Sequence, residues 1–202
     1  LAQYVSFPTL NLPEVEFTGS DDEFDDAGQK AMQEEIESIA LKVREHWHLD
    51  LAPIKDIQLI LEENGIIVTG FDTKDGKIDA FSQRTLIDDG DVFFVAVALG
   101  EKPKGRIFFD MAHELGHILL HPWSESLDLI SKDEFKIRET QANMFASAFL
   151  LPRESFLQEI QAYPTDLNYY LHLKKRWNCS MQAMIYRAHQ LGAITDNQYQ
   201  YM

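Results

Sequence analysis

The pattern His113-Glu114-Leu115-Gly116-His117 constrains the fold and the chemistry of this chain more than any other stretch of its sequence. It lies in a segment, 105–120, whose apolar residues recur at helical spacing. Histidines four residues apart on a helix have Cβ atoms about 6 Å apart, so both imidazoles can reach one Zn²⁺ at about 2.0–2.1 Å. Glu114 is rotated by about 100° from His113 and can instead reach a water molecule at the metal. The pattern therefore predicts a zinc-binding helix with Glu114 as a general base.

A zinc hydrolase needs a third protein ligand, because the fourth position on the metal is left to water. His121 lies on nearly the same helix face as His113 but about 12 Å further along a straight helix, which is too far for both to share one ion. At position 123, where a metzincin-type site has a histidine, this chain has Trp123. Glu139 lies beside the apolar stripe of a predicted helix, 132–149, where a carboxylate needs a partner. We therefore expect Glu139 to be the third ligand, with His121 as the alternative.

The hydrophobic period changes along the chain from helical to strand-like and back, which predicts an α+β fold. The strands indicate a small antiparallel sheet packed on the helix of the zinc motif, with turns at Lys74-Asp75-Gly76 and Asp88-Asp89-Gly90. The predicted strands are 66–71, 78–84 and 92–99. The predicted helices are 28–47, 54–63, 105–120, 132–149, 152–161, 167–177 and 180–191.

The order of the predicted elements divides the chain into three parts. Residues 1–27 are expected to form a linker or extended acidic segment, and residues 28–162 a zincin-like metallopeptidase domain. Residues 163–202 are expected to form a C-terminal helical extension, a helix-turn-helix-like pair packed on the peptidase. Ten acidic residues and one lysine lie between Glu14 and Glu37, and we interpret this run mainly as the solvated face of a helix.

The composition indicates in which cellular compartment the protein works. The 33 acidic and 18 basic residues give a net charge of −15. The longest apolar run, 92–99, is far shorter than the roughly 20 residues that cross a bilayer, so no membrane partner is expected. Cys179 is the single cysteine and cannot form an internal disulfide, which fits a reducing compartment. We therefore expect a cytoplasmic protein. Because the chain begins with Leu1 rather than Met, we also expect it to be part of a longer protein.

The zinc motif and the predicted helix after it together resemble the ImmA/IrrE metallopeptidase family, over roughly residues 36–156. The resemblance is carried by the stretch FFDMAHELGHILLH at 108–121, followed by Glu139, Ala142-Asn143, Phe145-Ala146 and Leu150-Leu151-Pro152. It implies that His113, His117 and Glu139 bind one zinc ion per chain and that Glu114 is catalytic. Gln141 departs from the family pattern, because many relatives carry a second glutamate there; a neutral residue at this position favours Glu139 as the ligand.

The resemblance also implies a biological role. Members of the family look like zinc-dependent endopeptidases that cleave helix-turn-helix repressors of the XRE type and so relieve repression. Many carry a DNA-binding domain upstream, and the opening with Phe7-Pro8 and Pro13 looks like the linker that follows such a domain. The expected partner is therefore a protein substrate of this type, and specific contacts with DNA are expected from an upstream domain rather than from this chain.

Two alternatives to a peptidase come from the residues themselves. The helices 167–177 and 180–191, joined at Asn178-Cys179, have the outline of a helix-turn-helix with Lys174, Lys175, Arg176 and Arg187. Residues 166–202 carry a net charge of only +2, from four basic and two acidic residues, so specific DNA binding by this chain is not expected. The other alternative is a metal-binding regulatory module of an XRE-type transcription regulator without peptidase activity.

Three features of the site stay open at the level of sequence. The group that stabilises the oxyanion could be Tyr163, Tyr169, Tyr170 or His172. The strand 92–99 could be an edge that accepts extended substrate or a central core strand. A site with two histidines and one glutamate also accepts manganese, cobalt or copper.

Overall fold

Helices surround a small sheet in the protein, which confirms the predicted α+β class. The computed structural model describes residues 9–19, 26–72, 78–87, 90–100, 102–123 and 130–202. The predicted turn at 74–76, most of the turn at 88–90, and the linker dipeptide Phe7-Pro8 lie outside these residues. The helices are α1 (Asp26–His46), α2 (Ile57–Glu63), α3 (Lys104–Leu120), α4 (Lys132–Leu150), α5 (Arg153–Ile160), α6 (Leu167–Trp177), α7 (Met181–Gln190) and α8 (Asp196–Tyr201). The strands are β1 (Ile66–Phe71), β2 (Ala80–Ile87) and β3 (Gly90–Ala98).

The sheet has the strand order β1-β3-β2 and is mixed rather than antiparallel. β2 and β3 pair antiparallel, as the sequence predicts, but β1 pairs with β3 in parallel, from Ile66 opposite Phe93 to Phe71 opposite Ala98. The expectation of a wholly antiparallel sheet is therefore wrong for β1. The chain must cross β3 between β1 and β2, and turn residues alone do not reveal such a crossing. β3 is central, which explains why its apolar run has no polar alternation.

The N-terminal part of the described chain is anchored to the core. Residues 9–19 form neither helix nor strand, and Leu10, Leu12, Val15 and Phe17 pack against the core. Gly65, after α2, has a φ of +86°, and a Cβ at this position would collide with the backbone of Thr9. The glycine thus allows the N-terminal segment to lie directly on the start of β1.

The zinc-motif helix α3 is the centre of the fold. Its buried residues lie on all sides, which is typical of a helix enclosed by other elements. α3 packs against β2, β3 and α4, and α1 packs against α4. α4 begins at the N-cap Ser131, whose hydroxyl accepts a hydrogen bond from the Glu134 amide at 3.1 Å. This packing brings His113 and His117 of α3 together with Glu139 of α4.

The C-terminal helices share the same hydrophobic cluster as the rest of the chain. Trp177 of α6 packs edge-on against Phe156 of α5 at 5.7 Å between ring centroids, and Met184 of α7 is fully buried. The short helix α8 is not predicted by the sequence. The proposed boundaries of the three parts, at 27/28 and 162/163, stay a prediction.

Among the described residues no helix combines the length and the apolar character that a membrane span requires.

Candidate metal centre

Side chains of His113 and His117 from α3 and of Glu139 from α4 converge on one point, which we call the metal point. Nε2 of His113 lies 3.0 Å from Nε2 of His117. The carboxylate of Glu139 faces both rings, with Oε2 at 3.5 Å from His113 Nε2 and Oε1 at 3.2 Å from His117 Nε2. All three side chains are partly exposed, so solvent or a ligand can reach the point between them. The structure thus brings together the three residues that the sequence predicts as ligands.

The spacing of these donor atoms fits a tetrahedral metal ion. Two ligands at about 2.0–2.1 Å from a tetrahedral centre are about 3.3–3.4 Å apart. The three observed separations, 3.0, 3.2 and 3.5 Å, lie on either side of that value. A metal ion between these three groups would satisfy both facing imidazole nitrogens and the carboxylate together, whereas a single proton can lie between the two nitrogens only once. The group could therefore hold a metal ion, and both the residue types and the distances are suitable.

The ring atoms that face away from this point are held by hydrogen bonds. Nδ1 of His113 lies 3.0 Å from Oδ1 of Asn143 on α4. Nδ1 of His117 lies 2.9 Å from Nδ1 of His121, whose Nε2 lies 3.0 Å from Oε1 of Gln141. His121 is therefore a partner of His117 rather than a member of the donor group, in agreement with the preference for Glu139 over His121.

Glu114 lies beside the donor group but points to the sheet. It is 6% exposed, and its Oε2 accepts a hydrogen bond of 2.6 Å from the hydroxyl of Ser82 on β2. Glu114 follows His113 by one residue, so the helix rotates the Glu114 side chain away from the two histidines, as the sequence predicts. This position beside the metal point and against an edge strand suits a group that exchanges protons with a bound substrate.

Burial and neighbouring charges shift the pKa values of four side chains in the site. The rings of His113 and His117, which face the Glu139 carboxylate, hold its pKa well below its usual range. Burial would lower the pKa of His113, but Glu139, Glu114 and Asn143 together outweigh burial and raise it. Burial, reinforced by the neighbouring His117, lowers the pKa of His121 to about 4. Burial raises the pKa of Glu114, and the Ser82 hydrogen bond only partly opposes this rise. Glu139 is thus an anion matched to a cation, while His121 is neutral.

The four candidates for oxyanion stabilisation are not brought to the metal point. The hydroxyl of Tyr169 donates to the Glu159 carbonyl and that of Tyr170 to the Pro164 carbonyl, both at 3.0 Å. The ring of Tyr163 contacts that of Tyr169 in a tilted arrangement, with 5.4 Å between centroids, and His172 is exposed on α6. Three of these side chains therefore belong to the junction of α5 and α6, where packing of aromatic rings accounts for them.

Sequence reasoning missed the contact of His121 with Gln141 and two further contacts in the site. Asn143 lies four residues after Glu139 on the same helix face, so its spacing could have revealed it. The contact of Ser82 with Glu114 depends on the way the sheet lies across α3, and no local pattern carries that information.

The comparisons with known proteins agree with the fold. The family model described as the IrrE N-terminal-like domain, peptidase M78, matches residues 62–189. Among solved structures, a Mycobacterium tuberculosis transcriptional regulator is similar with a TM-score of 0.50 and 21% identity over 75% of this chain. The chain spans 45% of the length of that regulator, and at this identity the likeness concerns the fold alone. No curated protein matches the chain significantly.

Proposed function

The chain belongs to the peptidase M78 family of IrrE N-terminal-like domains, and from this premise we propose that it is a zinc-dependent endopeptidase. The observation that carries the proposal is the convergence of His113, His117 and Glu139 with Glu114 buried beside them. Two neutral imidazoles and one carboxylate form the ligand set of many zinc hydrolases, and they leave one position for water. Manganese, cobalt and copper are the metals to compare with zinc.

Glu114 is the residue that moves the proton in the proposed reaction. A zinc ion held by the three ligands would lower the pKa of a nearby water molecule and stabilise negative charge on the substrate carbonyl oxygen. Oε2 of Glu114 is held by Ser82, so Oε1 is the atom that takes the proton of the attacking water. The same carboxyl then donates this proton to the leaving amine. Burial raises the pKa of Glu114, which makes it a stronger base than an exposed glutamate.

The position of β2 supports a path for an extended substrate along the site. β3 is the centre of the sheet, so the hypothesis that it accepts substrate as an edge strand is wrong. β2 is an edge strand and carries Ser82, which contacts Glu114. A substrate segment that adds to the open side of β2 would pass close to the proton-transferring carboxyl.

The proposed substrate is a helix-turn-helix repressor of the XRE type. This choice comes from the family resemblance, and charge supports it. The chain carries a net charge of −15, whereas the DNA-contacting face of a repressor is basic, so the two proteins attract each other. Exposed charges are screened by salt, because the screening length falls from about 10 Å at 0.1 M to about 3 Å at 1 M. Cleavage is therefore expected to slow as salt rises.

The basic residues of the C-terminal helices support a peptidase rather than an autonomous DNA-binding module. Arg187 is 1% exposed and pairs with Glu37 at 2.9 Å, so it is not available to a phosphate. Arg176 pairs with Glu159 at 3.0 Å. Of the four basic residues in the helix pair, Lys174 and Lys175 remain as exposed candidates for phosphate contacts, too few for tight binding.

The test of the proposal is cleavage of a repressor encoded beside the gene of this chain. The purified chain is incubated with that repressor, with zinc or with a chelator, and the products are identified by intact mass. Cleavage should require zinc and should stop in Glu114→Gln, because an amide of the same size cannot accept the proton. Glu154→Gln, an exposed change on α5, is the matched control.

Zinc content, measured on the same samples, separates the alternatives. Glu114→Gln should bind zinc as wild type does, and Glu139→Ala should lose it. Zinc binding without cleavage of any candidate repressor would favour the metal-binding regulatory module. Specific retention of promoter DNA by this chain would instead favour the DNA-binding module.

A further inference from the structure

A chain of hydrogen bonds leads from Gln141 on α4 to the metal-facing nitrogen of His117. Oε1 of Gln141 lies 3.0 Å from Nε2 of His121, and Nδ1 of His121 lies 2.9 Å from Nδ1 of His117. Nε2 of His117 then faces His113 and Glu139. The direction in which the protons point along this chain decides whether His117 can bind a metal.

The end of α3 makes this chain possible. α3 ends at Leu120, and His121 has an extended backbone, with φ −115° and ψ 143°. On a continuing helix the His121 ring would extend the row of histidines along the axis. Because the helix ends, its ring can instead turn toward the side of His117 that faces away from the metal point.

A second contact fixes the orientation of the Gln141 amide. Its Nε2 lies 3.6 Å from the sulfur of Met32 on α1, and a thioether can accept a hydrogen bond but cannot donate one. The amide nitrogen therefore faces Met32 and the amide oxygen faces His121. A carbonyl oxygen only accepts, so Nε2 of His121 must carry a proton.

The tautomer of His121 then sets the tautomer of His117. A neutral imidazole with its proton on Nε2 has a lone pair on Nδ1, which accepts from His117 Nδ1–H. With its proton on Nδ1, neutral His117 has a lone pair on Nε2, the atom that faces the metal point. A reversed Gln141 amide would donate to His121 and leave the proton of His117 on Nε2, where it blocks a metal.

We propose that Gln141 is a positioning residue, which holds His117 in its metal-binding tautomer through His121. Asn143 does the same for His113 by a direct contact of 3.0 Å. The role rests on the proposed zinc site but not on peptidase activity or on the identity of a substrate. The role also accounts for the presence of a polar residue at a buried position, since Gln141 is only 5% exposed.

Two substitutions of nearly equal size test this role. Gln141→Met removes the acceptor, and loss of a hydrogen-bond partner of a metal-binding histidine typically weakens metal affinity about 10-fold to 100-fold. Gln141→Glu keeps an acceptor facing His121 and should bind zinc at least as tightly as wild type. A purely structural role predicts the reverse order, because methionine suits this buried position and a buried carboxylate does not. Zinc affinity is measured by competition with a chromophoric chelator, and folding of each variant is checked by circular dichroism.

Nuclear magnetic resonance of the imidazole nitrogens reads the tautomers directly, without metal and without substrate. At about pH 8, well above the ordinary imidazole pKa, wild type and Gln141→Glu should show His121 protonated on Nε2 and His117 protonated on Nδ1. Gln141→Met should show His117 with a substantial population protonated on Nε2.

The outcomes separate this role from the proposed enzyme activity. Weaker zinc binding in Gln141→Met but not in Gln141→Glu, together with the tautomer change, supports the role even if no repressor is cleaved. Unchanged tautomers and affinity in Gln141→Met would overturn it, as would an equal loss of affinity in both variants. Failure of cleavage alone concerns the proposed peptidase and leaves this role unaffected.

Discussion

Gly116 offers a quantitative test of how closely α3 and α4 must approach to form the metal centre. A Cβ at this position would lie 3.1 Å from Ala142 Cα, 3.2 Å from the Ala142 carbonyl oxygen and 3.2 Å from Phe145 Cβ. Ordinary contacts between carbon atoms are about 3.5–4.0 Å, so in Gly116→Ala the helices must separate by a few tenths of an ångström. Because two of the three contacts are to backbone atoms, no side-chain rotation can relieve them.

The expected loss of stability is modest, since two effects oppose each other. Overpacking of this kind costs about 1–3 kcal/mol. Alanine is a better helix former than glycine by about 1 kcal/mol. The net change in the free energy of unfolding, measured by urea denaturation with chelator present, should therefore be a loss of about 1 kcal/mol.

The effect on zinc should exceed the effect on folding. His113 and His117 lie on α3 and Glu139 on α4, and ligand distances must be correct within about 0.2 Å. Zinc binding would force the separated helices together again and restore the overpacking. A strain of about 1.4 kcal/mol corresponds to a 10-fold loss of affinity, which is the expected size of the effect.

Gly105→Ala is the matched control. Gly105 also lies on α3, and its Cβ would meet backbone atoms of Asn178, Cys179 and Ser180 at 3.1–3.2 Å, away from the ligands. It should lose similar stability but keep its zinc affinity. Equal zinc affinities in Gly116→Ala and Gly105→Ala would refute the reasoning, since the spacing of α3 and α4 would then not control the metal centre.

Three further predictions concern stability and reactivity. The pKa of Glu37 is lowered by Arg153 and Arg187, which outweigh the opposing effect of burial, so its carboxylate stabilises the fold above its ordinary pKa. That contribution is lost as the pH falls through the lowered pKa of the folded state, and below the ordinary glutamate pKa the unfolding free energy of Glu37→Gln should depend less on pH than that of wild type. Zinc at about 100 times its dissociation constant should raise the unfolding free energy of wild type by about 2.7 kcal/mol, and His117→Ala should show no such rise in urea denaturation. Burial raises the pKa of Cys179 to about 12, so a thiol reagent should label the unfolded but not the native protein; rapid native labelling would contradict the burial.

Local patterns in the sequence predict the elements and the candidate metal ligands of this protein. The predicted bounds of β1 and α6 agree with the structure, and those of the other predicted helices and strands differ at their ends by up to three residues. The candidate ligands His113 and His117 follow from a spacing of four, which any α-helix converts into a shared face. Glu139 follows less directly, from its place beside an apolar stripe and from the family resemblance.

Only the tertiary structure decides how these elements are combined. The parallel pairing of β1 with β3, the contact of Ser82 with Glu114 and the contact of His121 with Gln141 each join residues at least 20 positions apart. Periodicity reports which face of an element is buried but not which element covers it. The end of α3 at Leu120 illustrates the difference: a straight helix places His121 too far from the metal point, whereas the extended backbone after the helix lets it contact His117 from behind. Short-range spacing thus determined the two candidate histidine ligands, and packing over long sequence distances determined how Glu139 meets them and what holds their rings in place.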